Sequence, residues 1–283
     1  MKIDNSLLEQ FKHEKFDIII LAGQSNAMGC GLGSVANEYE PCERIMHLYD
    51  DANFHFEKDA DGNDYLWIPE ECQRNIGIAS ESGEGNNKVG NFSLIFAKLY
   101  LDRGLLEAGR KLLIVKAAVG GTGFAKKQWG VGNVLYERIV DMTKTALDLN
   151  FENRVVAILW HQGEHDAFEN ENMSNHERYT FYLSSISAMF MDYIDKFALH
   201  NVSIVAGGFC AEWYLKNKNN CDVIMSATRD FLQNVGGAFA DSEGLLSNNE
   251  KNNNGDDIHF CREALYELGD RYFKSFLKLK NEK

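Results

Sequence analysis

The chain has 283 residues, 45% hydrophobic and 25% charged, the proportions of a globular protein. They exclude a disordered chain, a fibre and a small disulfide scaffold, and at roughly 150 residues per domain they fit one large domain or two small ones. Lys and Arg number 29 against 42 Asp and Glu, a formal charge of −13, so a broad contact with nucleic acid would meet repulsion.

The N-terminus runs from Met1 through Glu9, Lys12 and Lys15 with no apolar signal-peptide core. No stretch approaches the roughly 18 apolar residues needed to cross a bilayer. A cytoplasmic protein is expected, or a secreted one whose leader has been removed. The six cysteines (Cys30, Cys42, Cys72, Cys210, Cys221, Cys261) form no CxxC pair and read as free thiols.

The first strand is expected at Asp17–Ala22 (DIIILA). Residues 29–88 then show no clear period and read as a long irregular excursion, the kind of loop that often carries function. A helical stripe follows at Phe92, Ile95, Phe96, Leu99 and Tyr100, then a strand at Lys111–Ala117 (KLLIVKA). Leu135, Ile139, Met142, Ala146 and Leu149 share a helical face and lead into a strand at Arg154–Trp160 (RVVAILW). Tyr179, Leu183, Ile186, Phe190, Tyr193 and Phe197 form the next stripe, followed by strands at Val202–Ala206 and, more weakly, Ala238–Ala240. An Asn-rich loop over 248–254 precedes a last helix through Leu265, Leu268, Tyr272 and Phe276. Continuous apolar strands alternating with amphipathic helices imply βαβ crossovers and a mostly parallel sheet of about five strands covered on both faces. Only two prolines occur, Pro41 and Pro69, and no linker divides the chain, so one α/β domain over 1–283 is expected.

In such a sheet, sites gather in the loops beyond the carboxyl ends of strands. After the first strand stands Gly23-Gln24-Ser25-Asn26-Ala27-Met28-Gly29. A serine at this turn can present its hydroxyl at the sheet edge, or simply cap a helix. The segment is not a nucleophile elbow, which needs glycine at Ala27. After the third strand stands Trp160-His161-Gln162-Gly163-Glu164-His165-Asp166. It spells H-x-x-E-H, a zinc peptidase pattern with His161 and His165 as ligands and Glu164 as base. That chemistry needs both imidazoles on one helix face, yet His161 continues a strand and Gly163 interrupts the helix at a cost of about 1 kcal/mol. A zinc site is therefore not expected here, and no cofactor is expected either. Near the C-terminus, Asp256 and His259 are three apart, a spacing that lets the carboxylate accept the Nδ1 proton and leave Nε2 free as a base. A helix cap with a packed histidine is the alternative.

Four stretches together, IIILAGQSNAMG (18–29), VKAAVGGTGF (115–124), ILWHQGEHDA (158–167) and DDIHF (256–260), resemble the SGNH (GDSL-type) hydrolase superfamily and, within it, the carbohydrate esterase branch of sialate O-acetylesterase-like and acetylxylan esterase-like domains. The resemblance implies a three-layer α/β/α sandwich and metal-free hydrolysis of an acetyl ester on a sugar. It also implies Ser25 as nucleophile, His259 as general base and acid, and Asp256 as its orienting carboxylate. Gly90 and Gln162, with the Ser25 N–H, match the oxyanion hole. The chain departs from the family at Gly90-Asn91-Phe92, where many members read Gly-Pro-Glu. Asp257, beside Asp256, is a second carboxylate near the imidazole.

Gln24, Asn91, Glu164 and Trp129 are candidate substrate contacts, Trp129 as an aromatic that could stack on a sugar ring; for Glu164 and His165, packing or surface roles are equally open. The excursion, with Asp61, Tyr65 and Trp67, is a candidate determinant of specificity. Three other readings compete: the zinc peptidase, a carbohydrate-binding protein without turnover, and a short-chain acyl esterase, lipase or thioesterase of the same fold.

Overall fold

The structure is a computed structural model that describes residues 1–36, 40–51, 54–62, 64–80, 91–170 and 172–281. Along the chain run β1 (Lys2–Asp4), β2 (Phe16–Gly23), α1 (Ser25–Met28), β3 (Ile45–Asp50), β4 (His55–Lys58), β5 (Asp64–Trp67) and β6 (Glu71–Ile78). There follow α2 (Ser93–Asp102), β7 (Lys111–Lys116), α3 (Val134–Asp148), β8 (Arg154–His161), α4 (Asn175–Phe197) and β9 (Ser203–Gly207). The chain ends with α5 (Ala211–Lys216), α6 (Lys218–Val235), β10 (Ala238–Ala240), α7 (Asn248–Asn252) and α8 (Arg262–Asn281).

Eight strands form one sheet in the order β1-β6-β3-β7-β2-β8-β9-β10. The six from β3 to β10 in this order run parallel, whereas β6 pairs antiparallel with β3. The five strands expected from their apolar runs are β2, β7, β8, β9 and β10. The sheet is wider than that because the supposedly irregular excursion contributes β3 and β6, and the N-terminus adds β1. In β6 only alternate residues face inward, and one of these is Arg74, fully buried and donating to Asp141 (2.7 Å) and Thr145 (2.9 Å). A strand whose inner row includes an arginine gives no apolar run.

Two helical layers cover the sheet. On one face Phe92 stacks on Tyr272 and Phe96 meets Phe276, joining α2 to α8. On the other, Trp160 of β8 packs edge-on against Phe190 of α4, which contacts Phe231 of α6. Helix α6 has a stripe at Cys221, Ile224, Met225, Thr228, Phe231 and Leu232. The strand β2 is buried along its whole length. Its neighbour β7 belongs to the half of the chain wound to one side, and its other neighbour β8 begins the half wound to the other. The winding direction therefore reverses at β2, and a crevice opens at the carboxyl ends of these three strands.

Candidate active site

The register fixes what meets in that crevice. Gly23 pairs with His161, so the segment after β2 lies beside the segment after β8. A Cβ on Gly23, whose φ is +132°, would stand 2.0 Å from the His161 carbonyl oxygen, so only glycine admits this approach. Gln24 N–H donates to that same carbonyl (2.9 Å), and the chain turns at once into α1 with Ser25 as its first residue. On the other side, Val119 N–H donates to Gly23 O (3.1 Å), which extends the β7 pairing and carries Gly120 against the Ser25 side chain.

A cleft of about 550 Å³ opens here, with Ser25 and His259 both on its wall. Asp256 grips the imidazole: its Oδ1 lies 2.8 Å and its Oδ2 3.0 Å from Nδ1. Oδ2 also accepts from Asn248 Nδ2 (2.8 Å). A carboxylate at Nδ1 fixes the proton there and leaves Nε2 as the basic nitrogen. The neighbouring Asp257 instead pairs with Lys216 (2.8 Å), away from the ring. Asn26, next to Ser25, donates to Ile258 O and accepts from Phe260 N–H (both 3.2 Å), so it touches the main chain on both sides of His259.

Gln162 is placed behind the cleft rather than on its wall. Its Nε2 donates to Asp166 Oδ2 (2.7 Å) and Thr122 O (3.0 Å) and also approaches Gln24 Oε1 (3.3 Å), while its Oε1 accepts from Tyr182 (2.9 Å). Two N–H groups shared among three acceptors leave none for an oxyanion, which corrects the expectation for this residue. The cause lies one turn on. Asp166 is buried, which pushes its carboxyl above the usual range, and it is met by the N–H groups of Phe124 and Ala125 and by Gln162. Gly90 lies outside the described residues.

Gln24 and Glu164 line the cleft, but Asn91 and Trp129 do not. Asn91 is fully buried and accepts from the Ser93 N–H and hydroxyl at the start of α2. Trp129 is 1% exposed, donates to Thr122 Oγ1 (3.0 Å) and packs edge-on against Trp160, so it is a core residue and not a sugar platform. The aromatic wall of the cleft is made instead by Phe168 and Trp213, 5.3 Å apart, which the sequence reading missed. Also missed was Gly121, which lines the cleft beside Gly120. Phe56, from the hairpin β4–β5, stands against Gly121, so the excursion does reach the cleft. The zinc geometry does not form. His161 ends β8 with Nδ1 on Tyr272 in the opposite layer, while His165 faces the cleft. Among the described residues no group of three or more His, Cys, Asp or Glu side chains could hold a metal ion.

Residues 15–278 match the family model "Carbohydrate esterase, sialic acid-specific acetylesterase". A curated relative, the "Probable 9-O-acetyl-N-acetylneuraminic acid deacetylase" of Escherichia coli (strain K12), is 26% identical over 228 residues, covering 70% of this chain and 68% of its own. Among solved structures, NanS superposes with a TM-score of 0.73 at 18% identity, over 95% of this chain and 99% of that one. A protein from Arabidopsis thaliana gives a TM-score of 0.64 at 18% identity, over 93% and 98%. A carbohydrate acetylesterase from Xanthomonas citri gives 0.59 at 13%, over 94% and 57%. The family match spans nearly the whole chain, and the fold agrees with it. The chain therefore belongs to the sialic acid-specific acetylesterase family of carbohydrate esterases: it is a carboxylic ester hydrolase that removes O-acetyl groups from carbohydrates.

Proposed function

We propose that Ser25 attacks the acetyl carbonyl and that the reaction passes through an acetyl-serine intermediate. One observation carries the reading: Ser25 and His259 share a cleft wall, with Asp256 bound to Nδ1 of the imidazole. His259 Nε2 takes the serine proton as Oγ bonds to the carbonyl carbon, then gives it to the departing sugar oxygen. Asp256 holds the ring and stabilises the imidazolium. Water, deprotonated by the same nitrogen, then releases acetate. The oxyanion is met by the Ser25 N–H and by the Gly120–Gly121 loop. Among the described residues, no backbone carbonyl accepts from the N–H of Gly120 or Gly121.

The substrate we propose is an O-acetylated sialic acid, supported by the family and by the Escherichia coli relative. An acetylated xylan-type sugar is the alternative. No described helix is long and apolar enough to cross a membrane. All six cysteines are free, which supports a reducing, cytoplasmic compartment.

The test is acetate release from a panel of acetylated sialic acids, xylans and simple sugars, by the parent and by Ser25→Ala. Turnover should vanish in Ser25→Ala with the melting temperature unchanged. An organophosphonate should inactivate the parent by labelling Ser25, and a chelator should have no effect. A Ser25→Ala protein that still releases acetate refutes the scheme.

A further inference from the structure

From Glu164 on the wall of the cleft, a chain of buried polar side chains runs inward that the hydrolytic scheme does not use. Asn26 is fully buried, and its amide spans two segments of chain. Besides its contacts at Ile258 and Phe260, Nδ2 donates to Glu164 Oε1 (2.9 Å). Glu164 is 1% exposed and lies 3.4 Å from Nε2 of His161, itself fully buried. His161 Nδ1 stands 2.9 Å from the Tyr272 hydroxyl. That hydroxyl has one proton and donates it to Trp160 O (2.8 Å), so the imidazole must be the donor at Nδ1. Nε2 faces the carboxylate of Glu164 without a hydrogen bond to it. Burial pushes the Glu164 carboxyl up, but the neighbouring His161 and the Asn26 hydrogen bond outweigh it and hold it below the usual range.

A buried carboxylate set against an imidazole is a poor way to gain stability, because desolvation can cost more than the attraction returns. This one lies directly behind the two segments that carry the proposed nucleophile and base. We propose that Asn26 and Glu164, with His161 behind them, are positioning residues: they hold the imidazole of His259 at Ser25 by fixing the main chain on both sides of it. Asn26 is the tie between the segments, and Glu164 sets the plane of its amide. Reacting groups displaced by about 1 Å can lose on the order of 100-fold in rate, and the Asn26 side chain bonds the main chain at both 258 and 260. The inference rests on the proposed roles of Ser25 and His259.

The experiment is a double-mutant cycle on p-nitrophenyl acetate with Asn26→Ala, Glu164→Ala and the pair, each assayed well below its own melting temperature. Asn26→Ala should lower kcat about 100-fold with little change in KM, and should slow phosphonylation of Ser25 in parallel. The double variant should be no slower than Asn26→Ala alone, since Glu164 acts only through Asn26. Glu164→Gln, which keeps an acceptor for Nδ2, should recover at least about a tenth of the parental kcat. Should Glu164→Ala not fold, Asn26→Ser, too short to reach both 258 and 260, should reproduce the kcat loss of Asn26→Ala. Losses that multiply in the pair, or a folded Asn26→Ala or Asn26→Ser with parental kcat, overturn the proposal. Activity surviving in Ser25→Ala would instead remove the reading beneath it.

Discussion

Gln162 separates two accounts of the residues after β8, because its substitution should cost stability as well as rate. Gln162→Ala removes a donor from a buried carboxylate (Asp166, 2.7 Å), a donor from the Thr122 carbonyl (3.0 Å) and an acceptor from Tyr182 (2.9 Å). A hydrogen bond to a charged group is worth about 1.5–3 kcal/mol, and a buried acceptor left unpaired costs about 1–3. Asp166 keeps the N–H groups of Phe124 and Ala125, and Tyr182 keeps the Gln162 carbonyl (3.2 Å), so both stay partly satisfied. The sum is about 4 kcal/mol, which in a chain of this size lowers the melting temperature by about 10 °C. Differential scanning calorimetry beside acetate-release kinetics reads both consequences. A variant that melts with the parent while kcat falls 100-fold or more would show the amide to be an oxyanion donor held by nothing else, and would refute its placement behind the cleft.

Phe168 is 40% exposed on the cleft wall beside Trp213. Phe168→Ala should leave stability within about 0.5 kcal/mol and raise KM for an acetylated sugar about fivefold; an unchanged KM would take this wall out of substrate contact. Glu212 is held at about 2, well below its ordinary value, by Lys216 first and then by the Ser247 hydroxyl and Asn249. A depressed carboxyl stabilises the fold above its unfolded pKa and loses that contribution as pH falls through the folded one. The parent should therefore melt above Glu212→Gln at pH 6, with the gap closing from about pH 4.5 and gone near pH 2. A gap unchanged down to pH 2 would contradict the assignment.

How legible each part was follows from how locally it is encoded. The central strands were readable because burial on both faces demands continuous apolar runs, and β2, β7, β8 and β9 have them. Strand β6 was not, since its inner row of Cys72, Arg74 and Ile76 carries a charge whose partners, Asp141 and Thr145, are about 70 residues away. Helix α6 was readable in principle, but its stripe is diluted by Cys221 and Thr228. At the site, the spacing of Asp256 and His259 allowed the pair without excluding a helix cap, and three residues of chain do bring the carboxylate to Nδ1. The orientation of Gln162 could not. It depends on which of several acceptors wins a two-proton amide, and the winners, Asp166 and Thr122, meet only after β7 and β8 have been placed on opposite sides of β2.

The same topology accounts for the glycines. Gly90, which the resemblance matches to the oxyanion hole, lies outside the described residues. Once β7 is known to lie beside β2, the loop that follows it must cross the carboxyl end of the serine-bearing strand, and Gly120 and Gly121 are the residues that make the crossing. A side chain at 120 would touch the Ser25 Cβ at 3.5 Å, and one at 121 would meet Phe56 at 3.2 Å with its φ at +68°. Glycine is favoured at 121 by its φ and by Phe56, whereas a Cβ at 120 would make only ordinary contact; a loop without side chains also suits an oxyanion, which needs N–H groups with nothing in front of them. The oxyanion role proposed for this loop rests on that juxtaposition: Gly120 lies against Ser25, and among the described residues no backbone carbonyl accepts from the N–H of Gly120 or Gly121.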